Sequence, residues 1–498
     1  MIELDAALGW REVAAIAEGA PVAISDAAER RIRAARSLVE SIVEKGLRAY
    51  GVNTGVGALC DIVVDASRQR QLSRNILMSH AVGVGAPLGA AETRAIIAAA
   101  INNFVRGASG VRLEVVAALV TLLNRGCLPE VPSRGSVGYL AQMAHIALVL
   151  IGAGHARLDG ERCTGAEALQ RLGVPPLVLE AKEGLSLVNG TPCALGLAVI
   201  ALQRMEALLE WADAVAAMSF ENLHGQGAAF DARALALRAS PGLERVGANL
   251  RTALDGSGIL EAAAGSRTQD ALSLRAIPQV HGAVRDVFTY GAAVIDRELG
   301  SVTDNPIVTG TAEAPRVHSQ AHAVGAAIGL AADSLGIAIA ELAAMSERRI
   351  DRLVNPLVSG LPAFLAADSG TSSGFMIAQY TAVSLVAENR RLAAPASLDG
   401  GVTSGLQEDH LSHATPAASK WLQILENVEA ILAIEALAAA QAYDLQPGSH
   451  ARAPRNDATY RALRAVAAFY RDDRPLADDI ARARALLRLG LPAALQAA

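Results

Sequence analysis

The rhythm of apolar positions divides the 498-residue chain into two regions. From about residue 195 onward, LAVIALQRMEALLEWADAVAAMSF, GAAIGLAADSLGIAIAELAAMSERRIDRLV and WLQILENVEAILAIEALAAAQAYDL repeat apolar residues at i, i+3 and i+4 over several turns, which predicts long helices. Each is apolar on more than one face and therefore needs neighbours on several sides, as in a central bundle with further burial between subunits. Between about residues 13 and 134 the helical patterns are shorter and are broken by Gly-rich turns such as YGVNTGVGAL and SHAVGVGAPLG. The C-terminal run DDRPLADDIARARALLRL reads as an amphipathic helix with a solvated charged face. No fixed-period repeat, low-complexity linker or sharp composition break appears, so the chain reads as one all-α architecture in two parts. These are a loop-rich region at 1–194 and a long-helix bundle with C-terminal helices at 195–498.

Composition narrows the function classes. The chain is 52% hydrophobic but only 3% aromatic, and its apolar mass is mostly Ala and Leu, which favours packed helices over sheets. A net charge of −6 with no long basic run argues against a nucleic-acid partner and leaves a small molecule as the expected one. Two stretches, 135–156 and 184–203, lack Asp, Glu, Lys and Arg and have the length of a membrane span. Gly, His, Gln, Asn or Pro interrupt both and neither has basic flanks, so they read as buried core with no membrane partner. Cys60, Cys127, Cys163 and Cys193 have no metal-type spacing and read as small buried hydrophobes, in keeping with a reducing cytoplasm. The N-terminal MIELDAALGWREV has acids where an export signal needs a basic and then an apolar stretch.

Eight separated blocks carry the candidate chemistry: YGVNTGVG at 50–57, RNILMSHAVGVG at 74–85, GSVG with AHIALVLIG at 135–152, EGLSLVNGT at 183–191, QDALSLR at 269–275, SVTDNP at 301–306, SGFMIAQYTA at 373–382 and LQEDH at 406–410. In order and spacing they resemble the histidine and phenylalanine ammonia-lyase family along nearly the whole chain. That resemblance implies an almost entirely helical homotetramer of fumarase-like architecture with active sites shared between chains. It also implies a methylidene-imidazolone electrophile made from an Ala-Ser-Gly tripeptide in the run GSVGASGDLAPLAHI. Here the run is GSVGYLAQMAHI. The tripeptide is missing between Gly138 and Leu140, Tyr139 stands for the Asp and Gln142 for the Pro, so no cofactor is expected. The chain's one Ala-Ser-Gly, at 108–110, occupies a helix entry, where Ser109 reads as a cap.

By the same resemblance, Tyr50 matches the family's catalytic base, a phenol that takes the β-proton when its pKa is lowered. Arg275 matches its carboxylate clamp, for which a planar bidentate donor suits. Asn189 and Gln269 match polar holders of substrate or electrophile. His80 and Glu408 look like the branch that recognises imidazole. Leu272 replaces an active-site Tyr, and Ala323 stands near the place of a Phe wall, which enlarges the pocket. Tyr139 is the new candidate acid at the shortened loop. The glycines of 51–57 suit a mobile loop over the pocket. Glu408, His410 and His413 match no metal signature.

The leading expectation is thus a lyase without the electrophile, catalysing base-assisted elimination or the reverse addition on an amino-acid-like carboxylate. The alternatives are a pseudoenzyme kept for assembly or ligand sensing and, third, a conventional histidine ammonia-lyase.

Overall fold

Ser25 shows how the helices start. Its hydroxyl accepts from Ala28 N at 3.0 Å, Asp26 and Glu29 occupy the first turn, and the helix Asp26–Glu44 runs 19 residues with Ile32, Val39 and Ile42 buried on one face. It stops before Gly46, whose φ of +64° no β-carbon favours. The computed structural model describes residues 1–498 except 6, 399, 449, 493, 494 and 496–498. Helices take up 60% of it and strands 8%, so the helical expectation holds and strands are confined to small sheets. The first region is more helical than its Gly-rich turns suggest, since Ala90–Phe104 also forms one long, mostly buried helix.

Two compact units divide the chain. The first comprises Met1–Ala201, Ala292–Asp333 and Pro395–Ser419. In it the helix Trp10–Ala17 packs on Ala90–Phe104, and three helices, Gln69–His80, Ala141–Leu150 and Glu183–Val188, pack mutually. Gly184 makes that approach possible, because a β-carbon there would lie 2.2 Å from the Ser73 carbonyl oxygen. Among the described residues every strand lies in this unit, including the hairpin Ile307–Gly310 with Pro315–His318, in which Ile307 pairs with His318. Val308 of the hairpin joins Leu38, Val39, Ile42 and Val52 in a buried cluster.

The second unit comprises Leu202–Gly291, Ser334–Ala394 and Lys420–Ala498. Its core is helical but carries buried charge. Arg349, fully buried, donates from Nε to Glu435 Oε1 at 2.6 Å and from Nη2 to Oε2 at 3.0 Å, while Ser219 and Ser346 donate to the same carboxylate. Asp213 receives Arg285 Nη2 at 2.7 Å, Asn249 Nδ2 at 2.8 Å and His281 Nδ1 at 2.8 Å. Burial alone would raise the Asp213 pKa, but Arg285 and His281 outweigh it and hold the carboxyl at about 2.

The uncharged stretch at 184–203 lies within helical segments whose most apolar window is wholly buried. Cys127 and Cys193 are buried as expected, with burial pushing their thiols up to about 11 and about 12, whereas Cys60 and Cys163 are only half-buried, which corrects the reading of all four as buried.

Candidate active site

A cavity of about 1350 Å³ opens in the first unit, and Tyr50, His80, Tyr139, Asn189 and Glu408 all line it. Five positions far apart in sequence therefore meet, each delivered by a different element. Tyr50 sits in the turn after the Asp26–Glu44 helix, and its hydroxyl accepts from Gly57 N at 3.3 Å. Gly57 has φ +57°, and a β-carbon on it would lie 2.1 Å from Ser404 Oγ. The end of the 51–57 turn thus packs closely against Ser404. Ser404 Oγ also accepts from Ala58 N at 3.1 Å, tying the turn to the segment that carries Glu408.

His80 ends the helix Gln69–His80 with Nδ1 3.0 Å from Ser79 Oγ, and burial holds its pKa below the ordinary imidazole value. Tyr139 directs its hydroxyl to Glu408 Oε2 at 3.3 Å, and Thr403 Oγ1 donates to the same oxygen at 3.1 Å. Burial first, then the Glu408 charge, pushes the Tyr139 phenol well above its ordinary value. Tyr50 is shifted the same way, by burial and by Glu408 against the Gly57 hydrogen bond. The expectation that the pocket lowers the Tyr50 pKa is therefore corrected, because burial, and after it the Glu408 charge, favours the neutral phenol.

Asn189 follows the short helix Glu183–Val188. Its Nδ2 donates to the Asn305 carbonyl at 2.5 Å and reaches Asp304 Oδ1 at 3.5 Å. Asp304 is itself buried against Lys182, whose Nζ lies 2.9 Å from Oδ2, and Ser186 Oγ donates to the same oxygen at 2.8 Å. Sequence reasoning missed this support behind Asn189. The available signal was a lysine opening an otherwise uncharged run, with SVTDNP supplying the only class of partner that lets such a charge be buried.

Gln269, Leu272 and Arg275 lie in the second unit and are not among the residues lining the cavity. Arg275 Nε donates to the Asp270 carbonyl at 2.9 Å, and the Gln269 carboxamide oxygen, in the orientation that satisfies both side chains, accepts from the guanidinium at 2.9 to 3.1 Å. Leu272 is 63% exposed. Ala323 lines the cavity, where a small side chain leaves room.

Ser109 is buried with an unpartnered Oγ and does not cap the next helix. The N-cap is Arg112, whose N–H donates to Glu183 Oε1 at 3.0 Å. Among the described residues no His, Cys, Asp and Glu cluster suited to a metal occurs, and that includes Glu408, His410 and His413.

The fold has known counterparts. A sequence model described as aromatic amino acid lyase matches residues 8–465. The chain is 45% identical to a histidine ammonia-lyase of Symbiobacterium thermophilum over 100% of this chain and 98% of that one. Among solved structures it resembles a tyrosine aminomutase from Streptomyces globisporus with a TM-score of 0.93 at 35% identity, covering 98% of this chain and 97% of that one. It also resembles an ergothioneine-degrading ergothionase from Treponema denticola, solved with desmethyl-ergothioneine sulfonic acid, with a TM-score of 0.91 at 28% identity and 98% coverage of both. The chain belongs to the aromatic amino acid lyase family.

Proposed function

We propose that the chain is a lyase of this family that acts on an amino-acid carboxylate without a methylidene-imidazolone electrophile. The observation that carries the reading is the run Gly138-Tyr139-Leu140 at the cavity wall, where the sequence has no serine to dehydrate and no Ala-Ser-Gly to cyclise. The residues present do not fit that group. Nor does the tripeptide at 108–110, whose Ser109 is buried outside the cavity lining and whose Gly110 backbone would admit a β-carbon only 2.3 Å from Val39.

Ammonia elimination is slow because the β-proton is weakly acidic and the amine leaves poorly. Without an electrophile the substrate must bring its own activation, through a more acidic proton or a better leaving group. Tyr50 is the proposed base. Its raised pKa makes a cation beside it a requirement, and the substrate's ammonium supplies one. His80 and Glu408 would hold a polar or heteroaromatic ring. Asn189 is fixed to hold a polar group beside it.

Arg275 would clamp the carboxylate, with Gln269 aligning it and Leu272 widening the ring end. We place these three in the cavity of a second copy, in a homotetramer with shared sites. Exposed Tyr290, Ile377 and Tyr380 on the helices of the second unit support such burial between copies. A cytoplasmic enzyme is the corresponding expectation.

A spectrophotometric screen of histidine, phenylalanine, tyrosine and their N-alkylated or ring-substituted derivatives tests the reading. Amine release from an activated derivative, with histidine left intact, is the expected result. Rapid formation of urocanate would favour the second reading, an ordinary histidine ammonia-lyase, to which the names of the 42–45% identical relatives point.

A further inference from the structure

The shortened loop at 135–140 is pinned before the helix Ala141–Leu150 begins. The Val137 carbonyl accepts from His413 N at 2.8 Å, the Gly138 carbonyl accepts from Thr415 Oγ1 at 3.1 Å, and Leu140 N donates to the Val188 carbonyl at 3.1 Å. The helix therefore starts from a fixed point, and His145 stands about one turn along it. His145 Nε2 accepts from Gly83 N at 3.1 Å.

Gly83 belongs to the short connection that leaves His80. Val82 N turns back to the His80 carbonyl at 2.9 Å. His80, Val82 and Gly135 line the cavity, whereas Gly83 and His145 are not among its lining residues. Packing at the bond is close: a β-carbon on Gly83 would lie 3.1 Å from Pro132 Cβ and 3.2 Å from His145 Nε2, and one on Gly135 would lie 3.2 Å from Gly83 Cα. One imidazole nitrogen thus holds the segment that follows His80 against the start of the shortened loop.

The sense of the bond fixes the state of the ring. A backbone N–H only donates, so Nε2 carries no proton and the imidazole is neutral, with its proton on Nδ1. Protonation would set a second N–H against that of Gly83 and break the bond. Burial holds the His145 pKa below the ordinary imidazole value. On the elements packed against this helix, Arg70, Glu167, Arg171 and Glu183 are engaged with other groups and His80 bonds Ser79, while Arg74, Glu114 and Arg134 are exposed. We infer that His145 is a positioning residue for the His80 wall of the cavity, clasping Gly83 with its neutral ring and releasing that wall when it takes up a proton. The clasp is complete above the ordinary imidazole pKa of about 6.5 and is lost as pH falls through the lower folded value.

The clasp belongs to the free chain, so hydrogen exchange read by mass spectrometry on the full-length protein tests it without a substrate. His145→Phe keeps a ring and removes the acceptor, whereas His145→Gln keeps an acceptor at similar reach. At neutral pH, exchange across 81–87 should rise roughly fivefold in His145→Phe and stay near wild type in His145→Gln, with Ala90–Phe104 unchanged in both. At about pH 5, corrected for intrinsic exchange, the wild type should lose protection across 81–87 while His145→Gln keeps it. Unchanged exchange at 81–87 in His145→Phe would overturn the inference. So would a rise shared by Ala90–Phe104, which marks general loosening, or equal protection of wild type and His145→Gln at the acid pH. Should His145→Phe fail to fold, the acid comparison of the other two proteins decides.

Discussion

Two phenols are buried near one carboxylate in this cavity, and burial first and the carboxylate charge after it keep both neutral. Because Glu408 and burial push Tyr50 and Tyr139 upward together, removing the carboxylate charge should ease both shifts. Glu408→Gln is expected to move the rising limb of the pH–rate profile, set by the Tyr50 base, to lower pH, read as kcat/KM against pH with whichever derivative the screen identifies. Tyr50→Phe keeps the ring and loses only the hydroxyl. A rate loss of about 10² to 10⁴ in kcat, with folding intact, is the outcome expected of a base, and full activity would place the base elsewhere. For Arg275, replacement by Lys keeps the charge but not the fork. A rise in KM for Arg275→Lys nearly as large as for Arg275→Ala would mark bidentate carboxylate binding.

Among the helices of the second unit the decisive interactions are buried ion pairs. Arg349 on Ala326–Val354 and Glu435 on Ala414–Leu445 neutralise each other at zero exposure, so Arg349→Met strands a carboxylate and should cost about 3–5 kcal/mol in denaturant unfolding. Replacing both with apolar residues should recover most of that loss. Asp213 supplies a pH signature. Its folded pKa of about 2 lies below the ordinary carboxyl value of 3.8, so its stabilisation is complete above about pH 4 and is lost as pH falls toward 2. That shift corresponds to about 2 kcal/mol, and Asp213→Asn should flatten the acid limb of stability against pH by about that amount. The helices themselves were legible in the sequence because i, i+3, i+4 spacing is local. These pairs were not, because nothing local to Arg349 in SERRI or to Asp213 names the partner, distant in sequence, that the fold brings within 3 Å.

For the molecule as a whole, light scattering at micromolar concentration should return a particle of about four chains, and a stable monomer would contradict the shared-site proposal. Intact-mass measurement should match the unmodified sequence, and a deficit of two waters would revive a cyclised tripeptide. The meeting of Tyr50, His80, Tyr139, Asn189 and Glu408 in one cavity was legible through the motif blocks, since each block keeps its spacing. The direction of the Tyr50 shift was not, because it follows chiefly from burial that only the folded chain supplies, reinforced by Glu408 far along the sequence. The pinned loop has an evolutionary reading as well. With Val137 and Gly138 bonded to the 413–415 segment and Leu140 to Val188, an Ala-Ser-Gly at this place would require residues added to the loop and those bonds released, not side chains exchanged. Under the proposed reading, single substitutions can therefore refine Tyr139 but cannot by themselves install the tripeptide.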